Sequence, residues 1–390
     1  MFTLSKKLQS LPPYLFLEID KAKRKARAEG RDIIDLGIGD PDQPTPKYII
    51  EVLYRAAQDP ANHRYALDQG MPALRRAIEG WYKRRFDVNL DPDTEILPLI
   101  GSKEGIAHFP VAFINQGEYS LVPDPCYPPY KGGTILAGGK PYLMPLLEKN
   151  AFLPDLKKIP SSILKKAKIL FVNYPNNPTG AVAGKDFYKD VVAFAKKHKL
   201  IVLSDLAYSE MVYDGYKPPS IFEIEGARDV AIEFHSLSKT YNMTGWRVGW
   251  ACGNKELVAA LAKVKSNVDS GIFSAIQVAG IAALEGPQEE ISKMCALYQE
   301  RRDCLVNGLR SLGWQITPPK ATFYLWIKVP GNKSSIEFSA LLLEKANLVV
   351  TPGVGFGKYG EGYIRMAMTV PKERAKEAIQ RLKGLAIPKS

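Results

Sequence analysis

Two apolar runs with a helix between them constrain this chain more than any other feature. Residues 168–173 (Lys-Ile-Leu-Phe-Val-Asn) and 200–205 (Leu-Ile-Val-Leu-Ser-Asp) are largely apolar rather than alternating. Strands buried on both faces read this way, as in parallel sheets covered by helices. Residues 185–199 are patterned as the connecting helix. The rhythm recurs in strand-like segments at 95–100, 119–122, 140–146, 230–234 and 248–252, and Gly101-Ser102-Lys103-Glu104-Gly105 opens a helix. The expected fold is α/β, with a large domain built on a mostly parallel seven-stranded sheet between helices.

The pattern changes on either side. A helical region spans 255–312; strand-like segments follow at 321–329, 348–351 and 363–368, then a last helix at 372–383 stopped by Gly384. At the start, Leu11-Pro12-Pro13-Tyr14-Leu15-Phe16 leads into a helix over about 17–29, ended by Gly30. A short strand at 33–39, a stretch broken by Pro41, Pro44 and Pro46, and a helix over 48–58 come next. The division expected is a large domain over 48–285 and a smaller α+β domain made of 1–47 with 286–390.

Composition excludes several classes. The 390 residues are 46% hydrophobic and 24% charged, as in ordinary globular proteins. No apolar run reaches the roughly 18 residues that span a membrane, and the first residues carry no apolar leader stretch. A cytoplasmic protein is expected. Cys126, Cys252, Cys295 and Cys304 lack paired metal spacing, and the four histidines form no zinc motif. The net charge of +12 falls largely on helix faces such as 21–25 and 196–199, with no nucleic-acid-binding module; it favours an anionic small molecule.

Three sequence-distant segments carry chemistry. Ser236-Leu237-Ser238-Lys239-Thr240 follows an expected strand, with Arg247 eight residues beyond the lysine; upstream stand Asn176-Asn177-Pro178-Thr179-Gly180 and Asp205-Leu206-Ala207-Tyr208. A lysine amine can form a Schiff base with an aldehyde cofactor, while hydroxyls and an arginine hold its phosphate. All three segments fall at strand C-termini, the edge where open α/β sheets place ligands. Together they point to pyridoxal phosphate. Lys239 is the expected nucleophile and proton carrier, and Asp205 the carboxylate facing the pyridine nitrogen. Tyr208 and Asn177 would donate to the ring oxygen, with Tyr127 stacked on the ring. Ser102 and Lys103, in a turn at a helix start, join Ser236, Ser238 and Arg247 around the phosphate. Arg365 is a single charge inside an apolar strand. A buried guanidinium needs an anion, either a substrate α-carboxylate or a protein carboxylate. Two motif matches fail in context. Ser236-x-x-Lys239 lacks the Lys-Thr-Gly partner of penicillin-binding proteins, and the glycines of 355–360 precede a strand rather than a helix.

These residues resemble the fold-type-I, class I/II pyridoxal phosphate-dependent aminotransferases over essentially the whole chain. The resemblance implies cofactor attachment at Lys239, phosphate binding by Arg247, ring contacts from Asn177, Asp205 and Tyr208, and substrate carboxylate binding by Arg365. Tyr65 resembles the tyrosine that reaches the partner subunit's phosphate, which implies a homodimer with shared active sites. The motifs at 11–16, 36–42, 101–106 and 265–273 are most similar to the LL-diaminopimelate aminotransferase group, which works in lysine biosynthesis. Tyr14, Gly39, Lys103, Tyr127, Asn177 and Arg365 would then line the substrate pocket. Position 127 is tyrosine where many aspartate enzymes carry tryptophan, and 266–277 contains no arginine. Three alternatives stay open: an aspartate, alanine, aromatic or broad-specificity aminotransferase, a C–S β-lyase, and a non-catalytic binding protein.

Overall fold

The computed structural model describes residues 2–12, 15–66 and 68–385. The chain first meets a sheet at β1 (Ile34–Asp35) and then builds a seven-stranded sheet. Its strands are β2 (Ile96–Ile100), β3 (Tyr119–Asp124), β4 (Lys140–Pro145), β5 (Ala167–Asn173), β6 (Ile201–Asp205), β7 (Ala231–Ser236) and β8 (Val248–Gly253). The order across the sheet is β2-β8-β7-β6-β5-β3-β4, and every pairing is parallel except those of β8. The exception has a local cause. Only residues 237–247 separate β7 from β8, and a parallel return needs a crossover of about a dozen residues or more. Running backwards, β8 starts where β7 ends, so Arg247 sits at the edge that carries the ends of β5, β6 and β7.

Alternate residues of the central strands face two cores. Leu170, Val172 and Val202 join one cluster; Ile169, Phe171 and Leu203 join the other. This is why 168–173 and 200–205 read as unbroken apolar runs. The Lys185–His198 helix buries Tyr188, Val191, Val192 and Ala195, and left-handed Lys199 (φ 53°) turns the chain into β6. Buried Glu233 steadies β7 by accepting from Tyr82 Oη (3.0 Å), Ser220 Oγ (2.6 Å) and Ser204 Oγ (3.0 Å).

A second, antiparallel sheet holds β9 (Tyr324–Lys328), β11 (Thr351–Pro352) and β12 (Tyr363–Ala367), while β10 (Leu348–Val349) pairs in parallel with β1. Ile34 and Leu36 share a core cluster with residues between 294 and 382, and Tyr208, Met211 and Tyr213 also pack into it.

All seven expected strands of the large sheet are present, with ends that differ by a residue or two. Elsewhere the structure departs from the sequence reading. The 255–312 region is three helices (Lys255–Lys265, Ser274–Glu285, Glu289–Ser311) divided near Gly271 (φ 87°) and Gly286. The expected 33–39 strand is only Ile34–Asp35, because the chain then lifts over the small sheet, with Leu36 N donating to Val349 O and Ala367 N to Leu36 O. The 321–329 strand begins at Tyr324, after Thr322 adopts φ 66°. Helices at Pro72–Phe86, Pro129–Leu136 and Ser335–Ala346 are additional, the last closed by a Ser334/Glu337 capping box. Among the described residues no helix is long and apolar enough to cross a membrane.

Candidate active site

One cavity of about 280 Å³ lies at the strand-end edge, between the large sheet and the small one. Ser102, Lys103, Tyr127, Asn177, Asp205, Tyr208, Ser236, Ser238, Lys239, Arg247, Gly39 and Arg365 all line it. Tyr65 does not. It is 90% exposed and borders a separate surface hollow with His63, Ser270 and Phe273. Tyr14 lies outside the described residues. Among the described residues there is no group of three metal-ligating side chains.

Each residue arrives by its strand. Asp205 ends β6, and its carboxylate is buried. Oδ2 accepts from Tyr130 Oη (2.6 Å) and Oδ1 from the Ala207 amide (3.3 Å). Burial pushes its pKa up, while Tyr130 and that amide pull against the shift by bonding the ionised form. Asn173, ending β5, donates to Asp205 O (2.8 Å) and accepts from Asn177 N (2.9 Å), which fixes the 174–180 loop beside β6.

Lys239 lies in a single helical turn after β7, capped by Ser236 Oγ accepting from Ser238 N (3.1 Å). Its Nζ donates to Gly39 O (3.0 Å). Burial lowers its pKa from the ordinary 10.5 to about 8; the Asp40 carboxylate opposes the shift, and Arg365 and Arg247 add to it. A lysine so placed spends part of its time as a neutral nucleophile near neutral pH.

The cavity's anion-binding end is where Gly101 (φ 73°) starts the Ser102–Phe113 helix. A Cβ on Gly101 would lie 2.1 Å from Arg247 Nη2, so only glycine lets the guanidinium lie over the helix start. Arg247 donates to Thr244 O (2.7 Å) and makes no ion pair among the described residues. A guanidinium without an ion pair, a 12-residue helix start with no side-chain cap and two serine hydroxyls suit a phosphate.

Arg365 on β12 forms the opposite wall. It is 3% exposed, donates to Asn177 Oδ1 (2.8 Å) and Gly37 O (2.9 Å), and lies 4.1 Å from the Tyr324 ring centre and 4.6 Å from that of Phe356. Its Nε has no partner, and no carboxylate pairs with it among the described residues. The protein-carboxylate alternative is therefore absent there, and the guanidinium has a donor to spare for a ligand. With Oδ1 engaged by Arg365, Asn177 keeps its amide hydrogens for another acceptor.

The sequence reading missed Tyr130 and Tyr324. Tyr130 stands three residues after Tyr127, so the start of the Pro129–Leu136 helix brings both toward the site, their rings edge-on at 5.8 Å. Tyr324 lay hidden in an apolar run. Its hydroxyl is 2.9 Å from that of Tyr208.

The edge of a mostly parallel sheet thus gathers a lysine, a buried carboxylate and Arg247, and Arg365 faces them from the small sheet. The chain belongs to the aminotransferase class I and II family, which matches residues 31–382. It is similar to the LL-diaminopimelate aminotransferase of Aquifex aeolicus, with 56% identity over 99% of this chain and 100% of that one. It is also similar to that of Desulforudis audaxviator, with 55% identity over 98% of each. Among solved structures it resembles substrate-bound BacF from Bacillus subtilis (39% identity, TM-score 0.96, covering 100% and 99% of the two chains). A single mutant of Thermus thermophilus aspartate aminotransferase is also similar (29%, TM-score 0.91, 98% and 99%).

Proposed function

We propose that this chain is an LL-diaminopimelate:2-oxoglutarate aminotransferase of lysine biosynthesis that uses pyridoxal phosphate and acts as a homodimer. The observation that carries the chemistry is a single cavity joining the buried Lys239 amine, its pKa lowered to about 8, the buried Asp205 carboxylate and the carboxylate-free Arg365. The substrate assignment is supported by relatives of that activity at 55–56% identity over nearly the whole chain.

When bound, pyridoxal phosphate supplies an electron sink that makes the substrate Cα proton removable. The protein does the rest. Ser102, Ser236, Ser238, Arg247 and the helix start hold the phosphate, with Lys103 beside them. Asp205, whose ionised form Tyr130 and the Ala207 amide favour against burial, would face the ring nitrogen. Tyr208 and Asn177 would donate to the ring oxygen, and Tyr127 would cover the ring. Arg365 takes the α-carboxylate and so sets the substrate Cα near Lys239. Lys239 would take up the proton that leaves the substrate Cα and hold it for return. Gly39, Lys103 and Tyr127, with Tyr14, line the rest of the substrate path. Exposed Tyr65 would complete the partner's phosphate site.

The test is a half-reaction. Protein loaded with pyridoxal phosphate is mixed separately with LL-diaminopimelate, glutamate, aspartate and alanine, and the absorption change and released oxo acid are followed. Turnover with LL-diaminopimelate and glutamate only is expected. Turnover with aspartate or alanine instead would refute the substrate assignment, and ammonia with pyruvate but no amino acceptor would indicate a lyase.

A further inference from the structure

Tyr208 and Tyr324 come from different sheets. Tyr208 follows β6 of the large sheet, and Tyr324 opens β9 of the small one. Their hydroxyls are 2.9 Å apart, and among the described residues each is the other's only hydrogen-bond partner. Both line the cavity. A phenol carries one proton, so the pair has two arrangements. If Tyr208 donates to Tyr324, it has no proton left for a ligand. If Tyr324 donates to Tyr208, the Tyr208 proton is free for an acceptor in the cavity. The second arrangement satisfies more groups once an acceptor is present, and each donation in such a chain polarises the next.

The Tyr324 ring has another task. Its centre lies 4.1 Å from the Arg365 guanidinium carbon. We propose that Tyr324 is a positioning residue that serves both halves of the site. Its hydroxyl donates to Tyr208 and thereby orients and polarises the Tyr208 hydroxyl toward the cofactor's ring oxygen, while its ring supports the arginine that takes the substrate carboxylate. The inference rests on the functional reading above. Burial, with Tyr324 adding to it, raises the Tyr208 pKa well above its ordinary value, so Tyr208 stays a donor throughout the working pH range.

Two variants separate the roles. Tyr324→Phe keeps the ring and removes the hydroxyl; Tyr324→Leu removes both. In protein loaded with pyridoxal phosphate, two quantities are measured: the midpoint of the pH titration of the cofactor's absorption band, and the dissociation constant of the unreactive dicarboxylate glutarate. Donation to the ring oxygen stabilises it as an anion and weakens its hold on the proton shared with the lysine nitrogen, so weakening that donation raises the midpoint. Tyr324→Phe is expected to raise it by about 0.1–0.3 pH unit, because Tyr208 keeps its own proton and loses only the roughly 10–30% strengthening its donor supplies, with glutarate affinity unchanged. Tyr324→Leu is expected to raise it similarly and to weaken glutarate about threefold or more through loss of the ring–guanidinium contact. An unmoved midpoint in Tyr324→Phe would overturn the hydroxyl role. Equal loss of glutarate affinity in both variants would overturn the division of labour. A wild-type protein with no titrating band would overturn the functional reading, and this inference with it.

Discussion

The reactivity of Lys239 should follow pH in a way an exposed lysine cannot. Burial brings its pKa from the ordinary 10.5 to about 8. A shift of that size is a preference of about 3 kcal/mol for the neutral amine. At pH 7 roughly one Lys239 in ten is then neutral, against roughly three in ten thousand for an unperturbed lysine, an advantage of about 300-fold. The sign is fixed by the direction of the shift: the neutral form gains as pH rises and saturates above about 8. The assay is covalent capture of pyridoxal phosphate by protein freed of cofactor, trapped with borohydride at timed intervals. The Lys239 peptide is quantified by mass spectrometry between pH 6 and 10. Capture should rise about tenfold per pH unit up to pH 7.5 and flatten by pH 9. Exposed lysines in the same digest serve as internal controls and should still be rising at pH 10. A Lys239 curve that follows theirs would refute the burial argument, because it would mean that the cavity is wet enough to hold the ammonium at no cost.

Two further outcomes test the walls of the cavity. Tyr130→Phe removes the 2.6 Å bond to Asp205 Oδ2. Hydrogen bonds to buried charges are worth about 1.5–3 kcal/mol, so pyridoxal phosphate affinity by equilibrium dialysis should fall about 10- to 100-fold, most steeply on the acid side. Arg365→Lys keeps the charge but loses the fork that bonds Asn177 and Gly37 while leaving Nε free. The amino-acid KM should rise about 10- to 100-fold with cofactor affinity unchanged, and equal loss of both would mean that Arg365 is chiefly structural.

What could be read from the sequence depended on where each signal lay. The central strands β5 and β6 were readable because two-sided burial leaves unbroken apolar runs, and Asp205, Asn177 and Lys239 stood out because the first ends a strand and the other two follow strands within four residues. Tyr324 was not readable. Phe323-Tyr324-Leu325-Trp326 looks like strand core, and three of its four residues are buried. Its partner Tyr208 is 116 positions away on another sheet, a distance no local spacing encodes. The 255–312 region failed for a related reason. Its breaks at 266–273 and 286–288 are short, and the apolar period resumes after each. The strand expected at 33–39 shortened because it pairs with the two residues of β10, and a two-residue partner supports no longer ladder.

The contacts across the cavity explain the glycines at positions 37 and 39. Gly37 O accepts from Arg365, and Gly39 O accepts from Lys239 Nζ. One short stretch therefore touches both the group that would seat the substrate and the group that would move its proton. A Cβ at Gly39 would fall 2.0 Å from Tyr324 Oη. Any larger residue must push Tyr324 aside or move the chain. The first parts Tyr324 from Tyr208, and the second takes the carbonyl from Lys239. Asn177, on the large-sheet side, accepts from Arg365 on the small sheet. Each of these bonds joins elements from different sheets or from the N-terminal segment, so a rigid shift of the small sheet would disturb carboxylate seating, ring-oxygen contacts and lysine position together. The proposed phosphate grip at Arg247 and Gly101 involves only the large sheet and would survive it. The architecture thus separates the proposed phosphate grip, which depends on one sheet, from carboxylate seating, ring-oxygen contacts and lysine placement, which depend on two.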